Sequence, residues 1–100
     1  MNAKESGRIV GLLILAYFAS RQGFVQHKIL KAISICISLR EDKNNIEEFV
    51  EGMLEEGVNV GMINNFLPWL KKIDKKLYKE LLTVLPLIII KKYSKLQEGG

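Results

Sequence analysis

The chain has 100 residues, 48% apolar and 26% charged, with a net charge of +4. That composition is too apolar for a disordered tail, and the length suffices for one core without staples. Cys36 is the single cysteine, which excludes an intramolecular disulfide framework and points to a reducing, cytoplasmic setting.

The charges are segregated. Residues 1–40 carry a balance of +5, residues 41–57 one of −6, and residues 58–100 again +5. Such a pattern gives a folded chain distinct poles, suited to docking on a polyanion or on copies of itself. The alternative is that the acidic stretch neutralises its neighbours within the fold.

Glu5 and Ser6 lead into a first helix expected over about residues 5–22, its apolar stripe formed by Ile9, Leu12, Leu13, Ala16 and Tyr17. Gly7 and Gly11 weaken it, and Gly23 offers a left-handed residue to end it. The apolar run from Ile9 to Ala19 follows Lys4 and Arg8, as a signal-peptide core would. Glu5 in the leader, and Tyr17 and Phe18 where cleavage needs small residues, argue against that reading. Neither this run nor Leu81–Ile90 reaches the roughly 20 residues that cross a bilayer, so no membrane span is expected.

Residues 33–39 alternate as a strand would, yet Val25, Ile29, Ala32, Ile33, Cys36 and Ile37 also form one coherent helical face. The helical pattern is longer, and a strand here has no partner elsewhere, so a helix is expected. Glu41–Asn44 reads as a loop. Asn45 with Glu48 makes a capping box, and Ile46, Phe49, Val50, Met53 and Leu54 follow helical spacing up to Gly57. Asn59 caps a short helix over Val60–Leu67.

Pro68 suits the first turn of a new helix running to Leu85. On it Leu70, Ile73, Leu77, Leu81 and Val84 fall on one face, and Lys71, Lys72, Lys75, Lys76 and Lys79 on the other. The cationic stripe is roughly 12 Å long at 1.5 Å per residue. Pro86 predicts a kink or a fresh start, followed by a last helix bearing Lys91, Lys92 and Lys95, with Gly99 and Gly100 frayed. The expected fold is all-α, one compact bundle of five or six helices in a single helical domain over residues 1–100.

No catalytic constellation emerges. His27 and Cys36 fall on different sides of their helix, which argues against a nucleophile pair, and a zinc site lacks ligands. His27 reads as a surface residue and Cys36 as a small core hydrophobe. The glutamates of residues 47–56 lie on a solvated face, and no glycine-rich phosphate loop is present. No enzyme activity, metal or cofactor is expected. The lysine stripe is the functional candidate: ammonium groups in a row bind phosphates as point charges. Trp69 lies at the edge of the stripe, beside Lys72 and Lys76, and Tyr78 at the opposite edge; either ring can stack on a base. Arg8, Arg21, Lys28, Lys31 and Arg40 extend the field if the first helices pack alongside. Against this stands a solvated lysine face of the kind common in Lys-, Glu- and Ile-rich thermophile helices, with Trp69 covering a helix junction.

Arg8-Ile9-Val10, Leu12-Leu13 and Ala16, then Gly23, then Ile29 with Ala32 and Ser34 make an apolar helix, a glycine turn and a second helix. In this the N-terminal third resembles the small helical subunit of archaeal type I CRISPR interference complexes. The resemblance implies a non-catalytic, RNA-associated subunit of an antiviral defence filament, near crRNA or displaced DNA; it fixes no individual residue. The expected partners are thus nucleic acid, through its phosphate backbone, and other protein subunits. A protein–protein adaptor or homo-oligomer using the apolar flanks of the first and last helices is the alternative.

Overall fold

The computed structural model describes residues 1–98, with the side chains of 93 and 95–98 left aside. Among the described residues there are five α-helices and no strand: α1 Ala3–Ala19, α2 Gly23–Leu39, α3 Ile46–Glu55, α4 Val60–Ile73 and α5 Lys75–Glu98. The fold is all-α, as the periodicity predicts. Two compact units divide it, Met1–Asn65 and Phe66–Gly100, the division falling inside α4. The expected fraying of Gly99 and Gly100 lies outside the described residues.

In the first unit α1 starts earlier than the spacing predicts, because the Asn2 side chain accepts the Glu5 amide at 2.8 Å and caps the helix. It also stops earlier. The Ser20 amide donates to the Ala16 carbonyl at 3.0 Å, and Gly23 opens α2 instead of closing α1. The alternating segment 33–39 is helix; the Ser38 hydroxyl donates back to the Ser34 carbonyl at 3.0 Å, a local bond that suits a helical serine. In α3 the Asn45 side chain takes the Glu48 amide at 3.5 Å. The reciprocal half of the expected capping box is replaced by the Asn45 amide donating to the Asp42 carbonyl at 3.3 Å. At the other end Gly57 has φ +101°. Its amide reaches the Leu54 carbonyl at 3.1 Å while the Val58 amide reaches Met53 at 3.3 Å, a Schellman closure with Met53 and Val58 both buried.

α1 lies against α3 with backbone touching backbone. A Cβ at Gly7 would overlap the Phe49 carbonyl, one at Gly52 would overlap the Lys4 carbonyl, and one at Gly11 would come to 3.0 Å from the Met53 Cα. Ala3, Gly7 and Gly11 recur every fourth residue and so share one face. Around this seam Val10, Ile14, Phe49, Val50 and Met53 are buried, and α2 adds Ile33 and Ile37 from its side against α1. The glycines that weaken α1 locally are thus what lets the two helices approach.

The seam is closed at one edge by charge. The Glu55 carboxylate accepts Lys4 Nζ at 2.7 Å on one oxygen, and Arg8 Nη2 at 2.6 Å and Nε at 2.9 Å on the other. Here the acidic stretch does neutralise basic neighbours. The bonds from Lys4, then Arg8, hold the Glu55 carboxyl below its ordinary value of 4.5.

In the second unit two expectations fail together. Pro68 lies inside α4 and Pro86 inside α5, and neither ends a helix. Each proline forfeits one bond, to the carbonyl of Asn64 or Leu82, and all four residues are exposed, so water can take the freed carbonyl. The break falls instead at Asp74. Its Oδ1 accepts the Leu77 amide at 3.0 Å, capping α5, while its own amide still donates to the Leu70 carbonyl at 2.8 Å. Leu77, Leu81, Leu85 and Ile88 make the buried stripe of α5, Val84 is half-buried, and Ile73, expected inside, is 41% exposed.

Two outcomes follow from the seam. Gly7→Ala and Gly52→Ala are each expected to lower unfolding free energy by about 1–3 kcal/mol through overpacking. Gly23→Ala, where nothing lies within 4 Å, is expected to leave stability unchanged or raise it; urea denaturation reads all three. Because the Glu55 carboxyl is depressed in the folded chain, its contribution is complete above pH 4.5 and is lost as pH falls through the lowered value. The stability difference between the parent chain and Glu55→Gln should therefore shrink on acidification, as thermal melts across that range would show.

Candidate nucleic-acid interface

Lys71 and Lys72 occupy the last turn of α4, and Lys75, Lys76 and Lys79 the first turns of α5. All five are exposed. They are two clusters on either side of the Asp74 break, not the one unbroken stripe that a single helix over residues 68–85 would carry. Within α5, Lys75 and Lys79 are one turn apart on the same face, with Lys76 beside them. Leu77 and Leu81 take the buried side.

The electrostatics leave most of this charge uncompensated. Lys76 Nζ stands 4.0 Å from Glu80 Oε1. Among the described residues Glu80 is the only acid within ion-pair distance of any of the five lysines. Lys75 and Lys79 repel one another at i, i+4 spacing, and Lys75 and Lys76 add to the positive end of the α5 dipole. Lys71 and Lys72, at a helix C-terminus, are instead favoured by the dipole of α4.

The aromatics are less free than the lysines. Trp69 is half-buried, its ring edge-to-face with Phe66 at 6.0 Å between centroids. This is the packing role at a helix surface that competes with base stacking, and it leaves part of the indole open. Tyr78 is half-buried too, and Lys71 Nζ lies 5.7 Å from its ring centroid. That cation–π contact covers one face of the phenol and joins the end of α4 to the start of α5.

In the first unit two of the basic residues are already engaged. Arg8 is held by Glu55. Arg40 is buried, its guanidinium over the Phe49 ring at 5.8 Å and its Nη1 donating to the Ile37 carbonyl at 2.9 Å. Arg21, Lys28 and Lys31 are exposed. His27 is exposed and Cys36 half-buried. The sequence reading misses Asp74 as the cap that divides the lysines, although an aspartate three residues before Leu77 is the signal for it. It also misses Phe66 as the ring that holds Trp69. No described helix is long and apolar enough to cross a membrane. Neither a family model, nor a curated protein, nor a solved structure matches this chain.

Proposed function

We propose that the protein is a non-catalytic helical subunit of a cytoplasmic nucleoprotein complex, which touches nucleic-acid phosphates through Lys71, Lys72, Lys75, Lys76 and Lys79. The observation that carries this reading is that five exposed lysines lie close in the chain with one ion pair, to Glu80, among the described residues. A solvated face balanced within the fold would show more carboxylates beside them. Phosphate contact relieves the mutual repulsion and releases counterions, a gain that dominates non-specific binding. Lysine recognises the backbone rather than base edges, so little sequence preference is expected. The open part of Trp69 offers one base a stacking surface. The resemblance to the small subunit of archaeal type I CRISPR complexes supports an RNA-guided defence assembly as the setting.

A second reading has its own observation. Leu12 and Phe18 on α1, and Leu82, Leu87, Ile89 and Ile90 on α5, are each more than 40% exposed. These are the flanks through which a protein–protein adaptor or homo-oligomer would assemble, with no nucleic acid involved.

Binding of labelled single-stranded RNA and DNA across a salt series separates the two. Log affinity should fall linearly with log salt, by about 0.7 per phosphate contacted. Replacing the five lysines by glutamine should abolish binding while the far-ultraviolet circular dichroism stays helical. Trp69 is the sole tryptophan, so its fluorescence should be quenched in the complex, and Trp69→Ala should cost about 1–3 kcal/mol per stacked base. Salt-independent binding, or binding undiminished in the glutamine variant, would remove the site.

A further inference from the structure

The outward side of α2 has no role in the reading above. Phe24, Ile35 and Leu39 are 65%, 58% and 71% exposed. Lys28 and Lys31, also exposed, lie between them. Residues 24, 28, 31, 35 and 39 succeed one another at spacings of four, three, four and four, so they form one stripe along the helix. The stripe is roughly 22 Å long at 1.5 Å per residue. α2 contains no aspartate or glutamate. Among the described residues, neither lysine has an ion pair. The inner side of the helix is meanwhile committed, with Ile33 and Ile37 buried.

We propose that this stripe docks an acidic amphipathic helix of another protein. Apolar residues of the partner cover Phe24, Ile35 and Leu39, and its carboxylates meet Lys28 and Lys31. Charge complementarity chooses the occupant. The two ammonium groups stand in the middle of the stripe with an apolar residue on either side. A bilayer would have to bury them to reach those residues, whereas helices that lie in a membrane interface keep cations on the flanks. A second copy of α2, laid antiparallel, would place Lys31 against its counterpart; laid parallel, it would set each lysine against itself. Both arrangements meet like-charge repulsion in a desolvated contact. A phosphate backbone would satisfy the lysines and leave three large apolar side chains in water. A helix with carboxylates between its apolar positions satisfies both, in the manner of a helix laid on an apolar strip.

The probe is a synthetic amphipathic helix with leucines on one face and glutamates beside them, fluorescein-labelled, titrated with the full chain and followed by anisotropy. A twin peptide with lysines for glutamates serves as control. The glutamate peptide should bind, and the twin should bind at least about tenfold more weakly. The double variant Lys28→Glu/Lys31→Glu should reverse that preference, and Phe24→Ser or Leu39→Ser should weaken binding of the glutamate peptide. All four positions are exposed, so circular dichroism should confirm an unchanged fold. The five-lysine glutamine variant of α4 and α5 should bind the peptide like the parent, which separates this surface from the phosphate site. Failure of the glutamate peptide to bind, or a preference that survives the charge reversal, overturns the proposal. So does a dimer in sedimentation that Leu39→Ser dissolves, which gives the face to a second copy. Co-sedimentation with phosphatidylserine vesicles that depends on Phe24 and Leu39 would give it to lipid and overturn it as well.

Discussion

Where Gly7 meets Phe49 and Gly52 meets Lys4, two helix backbones lie together with no side chain between them. Much of the first unit follows from that approach. With α1 and α3 this close, Val10, Ile14, Phe49, Val50 and Met53 interlock around the seam and are nearly excluded from water. Glu55 is brought within reach of Lys4 and Arg8, so its position at the edge of the seam is a result of the glycines rather than a cause of the packing. Ion pairs as exposed as these contribute little to stability on their own.

The same geometry explains what α2 leaves outside. It meets α1 with Ile33 and Ile37, while Val25, Ile29 and Cys36 are only half covered. With one side of α2 turned to α1, Phe24, Ile35 and Leu39 are left to solvent. The outward positions are apolar and cationic together, a combination that neither solubility nor internal packing requires.

Legibility in the sequence tracks the range of the interaction. α3 was readable almost whole, because Asn45, the Ile46–Leu54 spacing and Gly57 all act within one or two turns. The outward placement of the five lysines was readable for the same reason, as charge avoids the buried stripe whichever way the helices are cut. The seam was not readable, since what decides it is the meeting of residues 7 and 49, or 4 and 52, far apart in the chain. Its only local trace is the recurrence of Ala3, Gly7 and Gly11 at every fourth position, where helix propensity scores the two glycines as a weakness. The prolines misled in the opposite sense. Pro68 and Pro86 are strong local punctuation, yet both lie on an exposed side of the helix, where water can replace the lost bond. Asp74 is weaker punctuation, yet its carboxylate takes the Leu77 amide in place of the Ile73 carbonyl that a continued helix would offer, and α5 starts there. Taking Pro68 instead of Asp74 as the break joins two lysine clusters into one.

The carbonyls that Pro68 and Pro86 deprive of an amide also constrain any assembly the chain enters. The oxygens of Asn64 and Leu82 lack the amide that an unbroken ladder would bring them, and both residues are exposed. A neighbour that covers the Leu82 side of α5 must therefore present a donor there or enclose an ordered water. A wholly greasy contact is disfavoured on that side despite the leucine at its centre.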